Sequence, residues 1–390
     1  MPRVRFEDVA TRVNTREDRF DTNLVYYVGG DHIETGELTV SGRGLIKEAD
    51  LGPMFYFGFK PGDILFVTRN PHLRKCATVD FPGICSEKTL VIGTKDETVL
   101  SQKYLAAVMQ SDDFWEFMEE NKSGSVNYFI NWSTLAAYEF DLPPIEKQRE
   151  LADLLWAAND LKEAYRKAIA ATDEMLKAKF REMFGDTARN TKKWKTPSFG
   201  ECLFSIDSGK SFICQPQPRK GTFPAVLKLS AVTYGYYRPE ENKAVNDSLQ
   251  FNPDHEVHAG DLLFTRKNTI DLVGACAYVR ETPPKLMLPD IIFRLNTKAC
   301  YDKQFLHALL THPDQRRRLT SIAGGTNNSM VNISKERLMR LTFPMPPLSL
   351  QREFVAIAEK ADETKASLKK SIADLDAVMK GLINQLQGLR

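Results

Sequence analysis

The 390-residue sequence has no cysteine pair spaced like the ligands of a zinc site and no apolar run long enough to cross a membrane. Its six cysteines are scattered without a CxxC pair, which argues against a zinc ribbon or a disulfide framework and favours reduced thiols. A transmembrane helix needs about 20 consecutive apolar residues, and the first residues do not resemble a signal peptide. We therefore expect a cytoplasmic protein.

The sequence also lacks the motifs of the common catalytic sites. Ser208-Gly209-Lys210-Ser211 ends like a phosphate-binding loop, but Phe204 stands where the first glycine belongs. His255 and His258 have no third ligand at a suitable spacing. No pair of carboxylates and no Ser/His/Asp set can be assigned. We therefore predict a non-catalytic protein with no metal and no cofactor.

The charge is distributed unevenly along the chain. Residues 1–145 contain 15 Lys+Arg and 22 Asp+Glu, whereas residues 189–345 contain 23 Lys+Arg and 14 Asp+Glu. A basic second region suits nucleic acid. The acidic first region suits it only if its basic residues lie together on one face.

Two segments of about forty proline-free residues dominate the sequence, and each follows a Pro-Pro pair. Gln148-Arg149-Glu150 begins four residues after the first pair, and Gln351-Arg352-Glu353 begins four residues after the second. Both segments have apolar residues at alternating three- and four-residue steps, which predicts two long helices with a coiled-coil seam. The seam consists of Leu151, Leu154, Ala158, Leu161, Tyr165, Ala168, Thr172 and Met175 in one helix and Phe354, Ile357, Ala361, Thr364, Leu368, Ser371, Leu375, Val378 and Leu382 in the other.

The sequence that precedes each long segment is duplicated as well. Three pairs of segments match in order: Gly62–Phe66 with Gly260–Phe264, the helical pattern Tyr104–Met118 with Phe305–Leu319, and the polar loop Gly124–Ser133 with Gly324–Ser334. The sequence therefore predicts a tandem α/β (α+β) repeat of a globular region and a long helix. The predicted divisions are 1–145, 146–186, 187–345 and 346–390.

Candidate nucleic-acid contacts lie at two features that recur in both repeats. Arginine and asparagine at a strand end can form bidentate hydrogen bonds to guanine and adenine, and glycine-rich polar loops can donate to phosphates. A tyrosine cluster and one lysine add stacking and charge in the second repeat. The candidates are Thr68, Arg69, Asn70, His72, Arg74, Lys75, Ser125, Asn127, Tyr128, Asn131, Lys210, Tyr234, Tyr236, Tyr237, Arg266, Lys267, Asn268, Thr326, Asn327, Asn328, Ser329 and Asn332.

With its two divergent α/β regions and two similar helices, each introduced by Pro-Pro-(Ile/Leu)-x-x-Gln-Arg-Glu, the sequence resembles the DNA-specificity subunits of type I restriction-modification systems. The resemblance covers the whole chain. It implies two target recognition domains, each reading one half of a bipartite double-stranded DNA target. It also implies that the long helices pair as an antiparallel coiled coil with pseudo-two-fold symmetry and fix the gap between the half-sites.

The same resemblance implies protein partners. Two DNA methyltransferase subunits would dock on the helical region and flip an adenine, and restriction/translocase subunits would join them. The candidates for docking are Gln148, Arg149, Gln351 and Arg352. Three alternatives stay open: the specificity subunit of another methylation-guided phage-defence assembly, a scaffold with two protein-binding domains, and helices that only dimerise the chain.

Overall fold

The computed structural model describes residues 2–325 and 330–385. The chain divides into two compact units, unit 1 (Met1–Ala168 with Ser367–Arg390) and unit 2 (Ile169–Ala366). Each unit combines one globular α/β part with a portion of both long helices. Among the described residues, no helix is long and apolar enough to cross a membrane.

The globular part of unit 1 contains ten strands and four short helices. The strands are β1 (Arg3–Arg5), β2 (Ala10–Val13), β3 (Tyr26–Val28), β4 (Gly44–Leu45), β5 (Phe55–Phe59), β6 (Ile64–Val67), β7 (Cys76–Thr78), β8 (Gly83–Ser86), β9 (Thr89–Thr94) and β10 (Glu139–Asp141). The helices are α1 (Phe6–Val9), α2 (Gln102–Val108), α3 (Asp112–Glu120) and α4 (Trp132–Ala136), and the long helix α5 (Ile145–Phe184) follows.

Two four-stranded sheets form the centre of unit 1, in the orders β2-β9-β6-β7 and β4-β3-β8-β5, and β1 pairs with β10. All four residues of β6 are buried. Because side chains alternate between the two faces of a strand, Ile64 and Phe66 join the core beneath the helices, while Leu65 and Val67 join the core of the second sheet. The continuous apolar run of β6 is thus explained by burial on both faces.

Unit 2 repeats this plan, with nine strands among its described residues. They are β11 (Leu203–Ser208), β12 (Ala225–Leu227), β13 (Asn242–Ala244), β14 (Leu262–Thr265), β15 (Lys267–Asn268), β16 (Cys276–Tyr278), β17 (Leu286–Met287), β18 (Ile292–Thr297) and β19 (Val331–Asn332). The helices are α6 (Phe199–Cys202), α7 (Lys303–Thr311), α8 (Pro313–Ser321), α9 (Lys335–Arg340) and the long α10 (Leu348–Gln385).

The central sheet of unit 2 has the order β11-β18-β14-β16, which corresponds to β2-β9-β6-β7 of unit 1. Strand β14 takes the place of β6, with Leu262 and Phe264 in one core and Leu263 in another. The fold class predicted from the sequence, a tandem α/β repeat with two long helices, is confirmed.

The Gly-Asp pair before each central strand forms the same turn in both units. Gly62 and Gly260 have φ angles of +92° and +87°, which glycine adopts without a steric cost. Asp63 Oδ2 accepts from Lys60 N at 2.9 Å, and Asp261 Oδ2 accepts from His258 N at 2.9 Å. The matching sequences therefore encode one conserved hydrogen-bonded turn that starts the central strand.

The prediction of a single short helix in each repeat was wrong. The segment forms two helices in each unit, α2 and α3 in unit 1 and α7 and α8 in unit 2. In unit 1, Ser111 is extended and its side chain accepts from Phe114 N at 3.3 Å, so it caps α3. In unit 2, His312 is extended and precedes Pro313. Proline has no N–H and disfavours a helical residue before it, so α7 ends there.

In unit 1, residues of α5 and α10 pair in antiparallel order. Leu151 and Leu155 belong to the same core as Met379, and the later Lys162 forms an ion pair with the earlier Asp376 at 2.9 Å. The residue number thus rises along α5 as it falls along α10. This pairing buries the apolar side chains that begin α5.

Unit 2 contains the counterpart of this pairing. Asp173 of α5 lies 2.8 Å from Lys365 of α10, and the ring of Phe180 lies 5.3 Å from that of Phe354. Lys365 follows Lys162 by 203 residues in the sequence, and Asp376 follows Asp173 by the same interval. The duplication has therefore placed an equivalent lysine–aspartate pair in each unit.

Part of the predicted seam lies on the surface. Leu154, Leu161, Met175 and Val378 are 43–54% exposed. Leu155 and Lys162, each one position further along α5 than the predicted Leu154 and Leu161, are buried instead. A lysine can occupy this position because its ammonium is paired with two carboxylates, Glu37 at 2.8 Å and Asp376 at 2.9 Å.

Candidate nucleic-acid interface

In unit 1 the two predicted features, the strand end after β6 and the polar loop, lie side by side. Asn70 N donates to Tyr128 O at 3.1 Å, and Ile130 N donates to Thr68 O at 2.9 Å. The loop is closed by two hydrogen bonds between Ser123 and Phe129, at 2.9 and 3.0 Å. Backbone pairing therefore brings together two segments that are about sixty residues apart in the sequence.

Unit 2 joins the same two features in the same way. Ile333 N donates to Arg266 O at 2.8 Å, and Gly324 and Asn332 exchange two hydrogen bonds, at 2.9 and 2.8 Å. Strands β15 and β19 pair antiparallel, with Asn268 opposite Val331. Both units thus form a composite surface from a strand end and a loop.

The composite surface of unit 1 presents cationic and amide side chains to solvent. Arg69, Asn70, Lys88 and Asn127 line a cleft of about 330 Å³, and the guanidinium of Arg69 lies 4.9 Å from the centre of the Phe129 ring. Arginine can donate two hydrogen bonds to a guanine edge, and asparagine can donate one to adenine N7 and accept one from adenine N6. The cleft therefore has the chemistry needed to contact a purine or a phosphate.

Lys88 was missed by the sequence analysis because it lies in a turn with no repeated motif. The structure brings it to the strand end, since Thr68 donates to Lys88 O from both its N and its Oγ1, at 2.9 Å in each case. Lys122 was also missed. Its ammonium lies 4.4 Å from the centre of the predicted Tyr128 ring.

The turn after the strand end of unit 1 has an unusual backbone. Asn70 and Arg74 have φ angles of +53° and +49° and flank a short 3₁₀ segment, Pro71–Leu73. Non-glycine residues rarely adopt this left-handed region, and such residues are enriched at functional sites. The turn presents His72 to solvent.

Several predicted contacts in this region are used within the protein instead. Arg74 Nη1 lies 2.5 Å from Asp112 Oδ1, and Lys75 Nζ donates to Gly30 O at 2.5 Å. Thr68 is buried, and its hydroxyl is bonded to the backbone. For these three residues the structure supports a role in positioning the turn rather than in contacting a ligand.

In unit 2 the strand-end side chains are more tightly held. Arg266 Nε donates to Asn332 Oδ1 at 3.2 Å, so two candidates support each other at one edge. Lys267 lies 3.9 Å from Asp290. Asn268 is buried and donates to Thr233 Oγ1 at 3.2 Å, which favours a structural role over the predicted contact with a base.

The tyrosine cluster of unit 2 divides in the same manner. Tyr234 and Tyr236 are 58% and 59% exposed, and the guanidinium of Arg238 lies 5.9 Å from the centre of the Tyr234 ring. Tyr237 instead packs in the core with its hydroxyl 2.8 Å from Thr282 Oγ1, and burial raises the pKa of Tyr237 to about 12. For Tyr237, which is partly buried, the structure therefore favours a structural role over the predicted contact.

The remaining candidates are mostly exposed. Ser125, Asn127 and Asn131 lie on the surface of the unit 1 loop, and Lys210 is exposed in unit 2. Four predicted residues of the second loop lie outside the described residues: Thr326, Asn327, Asn328 and Ser329.

The glutamines predicted to dock a partner are buried. Gln148 accepts from Ser101 N at 3.0 Å and donates to Val99 O and Pro143 O, at 2.9 and 2.8 Å. The polar atoms of Gln148 are thus hydrogen-bonded inside the unit, and the side chain is buried. Gln148 instead fastens the start of α5 to the globular part.

Gln351 forms the same three hydrogen bonds in unit 2. It accepts from Asp302 N at 2.9 Å and donates to Cys300 O and Pro346 O, at 2.9 and 2.8 Å. For both glutamines the structure therefore favours a role inside the unit over the predicted docking role. The adjacent Arg149 and Arg352 are exposed and stay candidates.

Within residues 2–325 and 330–385, no group of three or more His, Cys, Asp or Glu side chains is arranged to hold a metal ion. The chemistry of both composite surfaces is that of hydrogen-bond donors, amides and aromatic rings. Such groups recognise nucleic acid by contact rather than by covalent chemistry.

The duplicated fold defines a class of protein, because two α/β units with two long helices also form the S subunits of type I restriction-modification systems. The crystal structure of such a subunit from M. genitalium aligns over 99% of this chain and 96% of its own, with a TM-score of 0.61 and 14% identity. A chain from a structure that describes complex assembly of a type I restriction-modification system aligns over 99% of this chain and 97% of its own, with a TM-score of 0.56 and 18% identity.

Sequence comparison identifies relatives of the same class. The EcoKI specificity subunit of Escherichia coli K12 is 21% identical over 377 residues, which cover 90% of this chain and 78% of the relative. The EcoEI specificity subunit of E. coli is 30% identical over 184 residues, which cover 46% of this chain but only 31% of the relative. No protein-family model matches the sequence. The resemblance to type I specificity subunits is thus confirmed in sequence and in fold.

Proposed function

We propose that this chain is the non-catalytic specificity subunit of a type I restriction-modification system. It binds double-stranded DNA at a bipartite target, and each unit reads one half. The observation that carries this proposal is the duplicated composite surface, where an arginine-bearing strand end is hydrogen-bonded to a polar loop in both units. Because its substrate is intracellular DNA, the proposal places the protein in the cytoplasm.

The exposed side chains of each surface supply the contacts. In unit 1, Arg69, Asn70 and Asn127 would donate to base edges, and Lys88 would bind a phosphate of the same half-site. In unit 2, Arg266 would read a base edge, and the exposed rings of Tyr234 and Tyr236 would pack on the backbone sugars. The two surfaces carry different side chains, so the two half-sites should differ in sequence.

The other subunits supply the chemistry in this proposal. Two adenine methyltransferase subunits bind the helical region, where Arg149 and Arg352 are exposed, and restriction/translocase subunits join that complex. The chain then acts as four segments, with recognition domains at 1–145 and 187–345 and the helices at 146–186 and 346–390 determining the gap in the target. A spacer of this kind needs sufficient length and a fixed register between the two helices. The helices would supply the length, and the lysine–aspartate pairs would fix the register.

The test is to map adenine methylation in cells that express the chain with its cognate methyltransferase subunits. We expect one methylated motif made of two short specific sequences separated by a fixed number of unspecified bases. Cells that express the methyltransferase subunits alone are the control and should lack the motif. A scaffold protein would leave the methylation pattern unchanged, and a lone methyltransferase would methylate without the other subunits.

A further inference from the structure

Several arginines of unit 1 lie over aromatic rings instead of pairing with acids, and three of them are Arg12, Arg16 and Arg43. The guanidinium of Arg12 lies 5.0 Å from the centre of the Phe57 ring, and that of Arg16 lies 5.4 Å from the Tyr56 ring. Arg43 lies 4.2 Å from the Tyr26 ring. Among the described residues, none of the three has a carboxylate oxygen within the 4.0 Å of a salt bridge.

This arrangement is unexpected in the acidic part of the chain, where 22 carboxylates outnumber 15 cations. Other arginines of unit 1 do pair, as Arg3 with Glu139 at 3.2 Å and Arg5 with Glu7 at 2.9 Å. A guanidinium on a ring is attracted by the ring face and keeps its N–H edges available for another acceptor. The charge of these arginines is therefore held in place without being neutralised.

Two of these arginines are linked to the candidate interface through a short series of contacts. The rings of Tyr56 and Phe57 have centroids 4.7 Å apart, so Arg12 and Arg16 lie on one pair of rings. The hydroxyl of Tyr56 donates to Glu87 Oε2 at 3.2 Å. The next residue, Lys88, lines the cleft of Arg69 and Asn127.

We propose that Arg12 and Arg16, supported by Phe57 and Tyr56, form a phosphate-binding shelf that extends the DNA interface of unit 1. The ligand is the phosphodiester backbone next to the half-site that unit 1 reads. Phosphate oxygens suit the forked donors of arginine, and the supporting rings reduce the side-chain entropy that binding would otherwise cost. The inference rests on the proposed function and assigns it two further contact residues.

The test compares two double variants in the complex with the methyltransferase subunits. Arg12→Ala/Arg16→Ala removes the shelf, and Arg3→Ala/Arg5→Ala removes the same charge from the same unit at arginines paired with acids. Fluorescence anisotropy measures binding of a labelled duplex that contains the methylated motif, over a range of salt concentrations. Each lost phosphate contact should reduce the slope of log K against log salt by about 0.9.

For the shelf variant we expect a slope lower by about 1.8 and an affinity at least about tenfold lower at low salt, with the control close to wild type. Thermal unfolding checks that both double variants fold. If Arg12→Ala/Arg16→Ala does not fold, the single variant Arg16→Ala, at an exposed position, takes its place. An unchanged slope, or equal losses in both variants, would overturn the shelf. If the wild-type complex itself does not bind the duplex, the proposed function fails instead.

Discussion

The two units differ in how some of their arginines are held, and this difference runs opposite to their net charge. Unit 2 also has arginines over aromatic rings, Arg238, Arg266 and Arg318, but each of them is also hydrogen-bonded to a neighbouring side chain. In basic unit 2, Arg294 lies 3.3 Å from both Asp207 and Asp261, and Arg316 and Arg318 donate to backbone carbonyls. In unit 1, whose globular part is acidic, Arg12 and Arg16 rest on aromatic rings. Net charge is therefore a poor guide to which unit can bind a polyanion, because many of the cations in unit 2 hold its own fold together.

A second difference lies in the ion pairs between the globular part of each unit and its long helices. The globular part supplies the acid in unit 1 and the base in unit 2. In unit 1, Glu37 of the globular part accepts from Lys162 and Arg166 of α5, at 2.8 and 2.6 Å. In unit 2, Arg280 of the globular part lies 2.7 Å from Asp362 of α10. The unit 1 cluster is much more buried, since Lys162 is 2% exposed and the Arg280 side chain is 49% exposed.

The largest expected effect comes from removing the equivalent lysines one at a time. Lys162→Met should destabilise the protein by about 3 kcal/mol, because it leaves the carboxylates of Glu37 and Asp376 without their shared buried partner. Lys365→Met should cost about 1 kcal/mol or less, since Lys365 is 20% exposed and its partner Asp173 is 48% exposed. Urea unfolding followed by circular dichroism measures both values. Equal losses would contradict the difference in burial between the two clusters.

A smaller effect should distinguish the clusters by pH. Burial alone would raise the pKa of Glu37, but hydrogen bonds from Arg166 and Lys162 outweigh it and hold the pKa below 4.5. Because the folded-state pKa is depressed, this stabilisation is complete above pH 4.5 and is lost as the pH falls through the folded-state value.

The lysine of unit 2 responds in the opposite direction. Burial lowers the pKa of Lys365, but hydrogen bonds to Asp173 and Asp362 outweigh it and raise the pKa above 10.5. Its stabilisation is present below pH 10.5 and is lost as the pH rises through the folded-state value. Unfolding at pH 3 should therefore show a smaller loss for Lys162→Met than at pH 7, and raising the pH through the folded-state pKa of Lys365 should reduce the loss for Lys365→Met. A Lys162→Met loss that did not depend on pH would contradict the role given to Glu37.

Much of the fold could be predicted because the duplication repeats local physical signals. The Gly-Asp turn before β6 and β14, the apolar runs of these strands and the long helices all depend on nearby residues. The break before Pro313 follows from the proline itself, which ends a helix at the residue before it. The break at Ser111 is harder to predict, because the helical spacing of apolar residues continues on both sides of the serine that caps α3.

The candidate site was predicted only in part, because contact between distant segments decides which side chains are exposed. The pairing of the strand end with the polar loop shows that Arg69 is available to a ligand, whereas Asn268 at the matching strand end is buried. The polar motif around Gln148 predicts a surface residue. In the structure Gln148 is buried and forms hydrogen bonds with three residues of two loops. The shelf could not be foreseen, because the rings beneath Arg12 and Arg16 are about forty residues away in the sequence.

The central claim is that each unit reads one half of the DNA target, and two single variants test it directly. Methylation mapping is performed for Arg69→Ala and Arg266→Ala, each expressed with the methyltransferase subunits, beside the wild type. We expect each variant to relax the motif in one half only, in different halves, with about 1–3 kcal/mol of discrimination lost at the affected base. Variants that both relax the same half, or that leave both halves unchanged, would contradict the account.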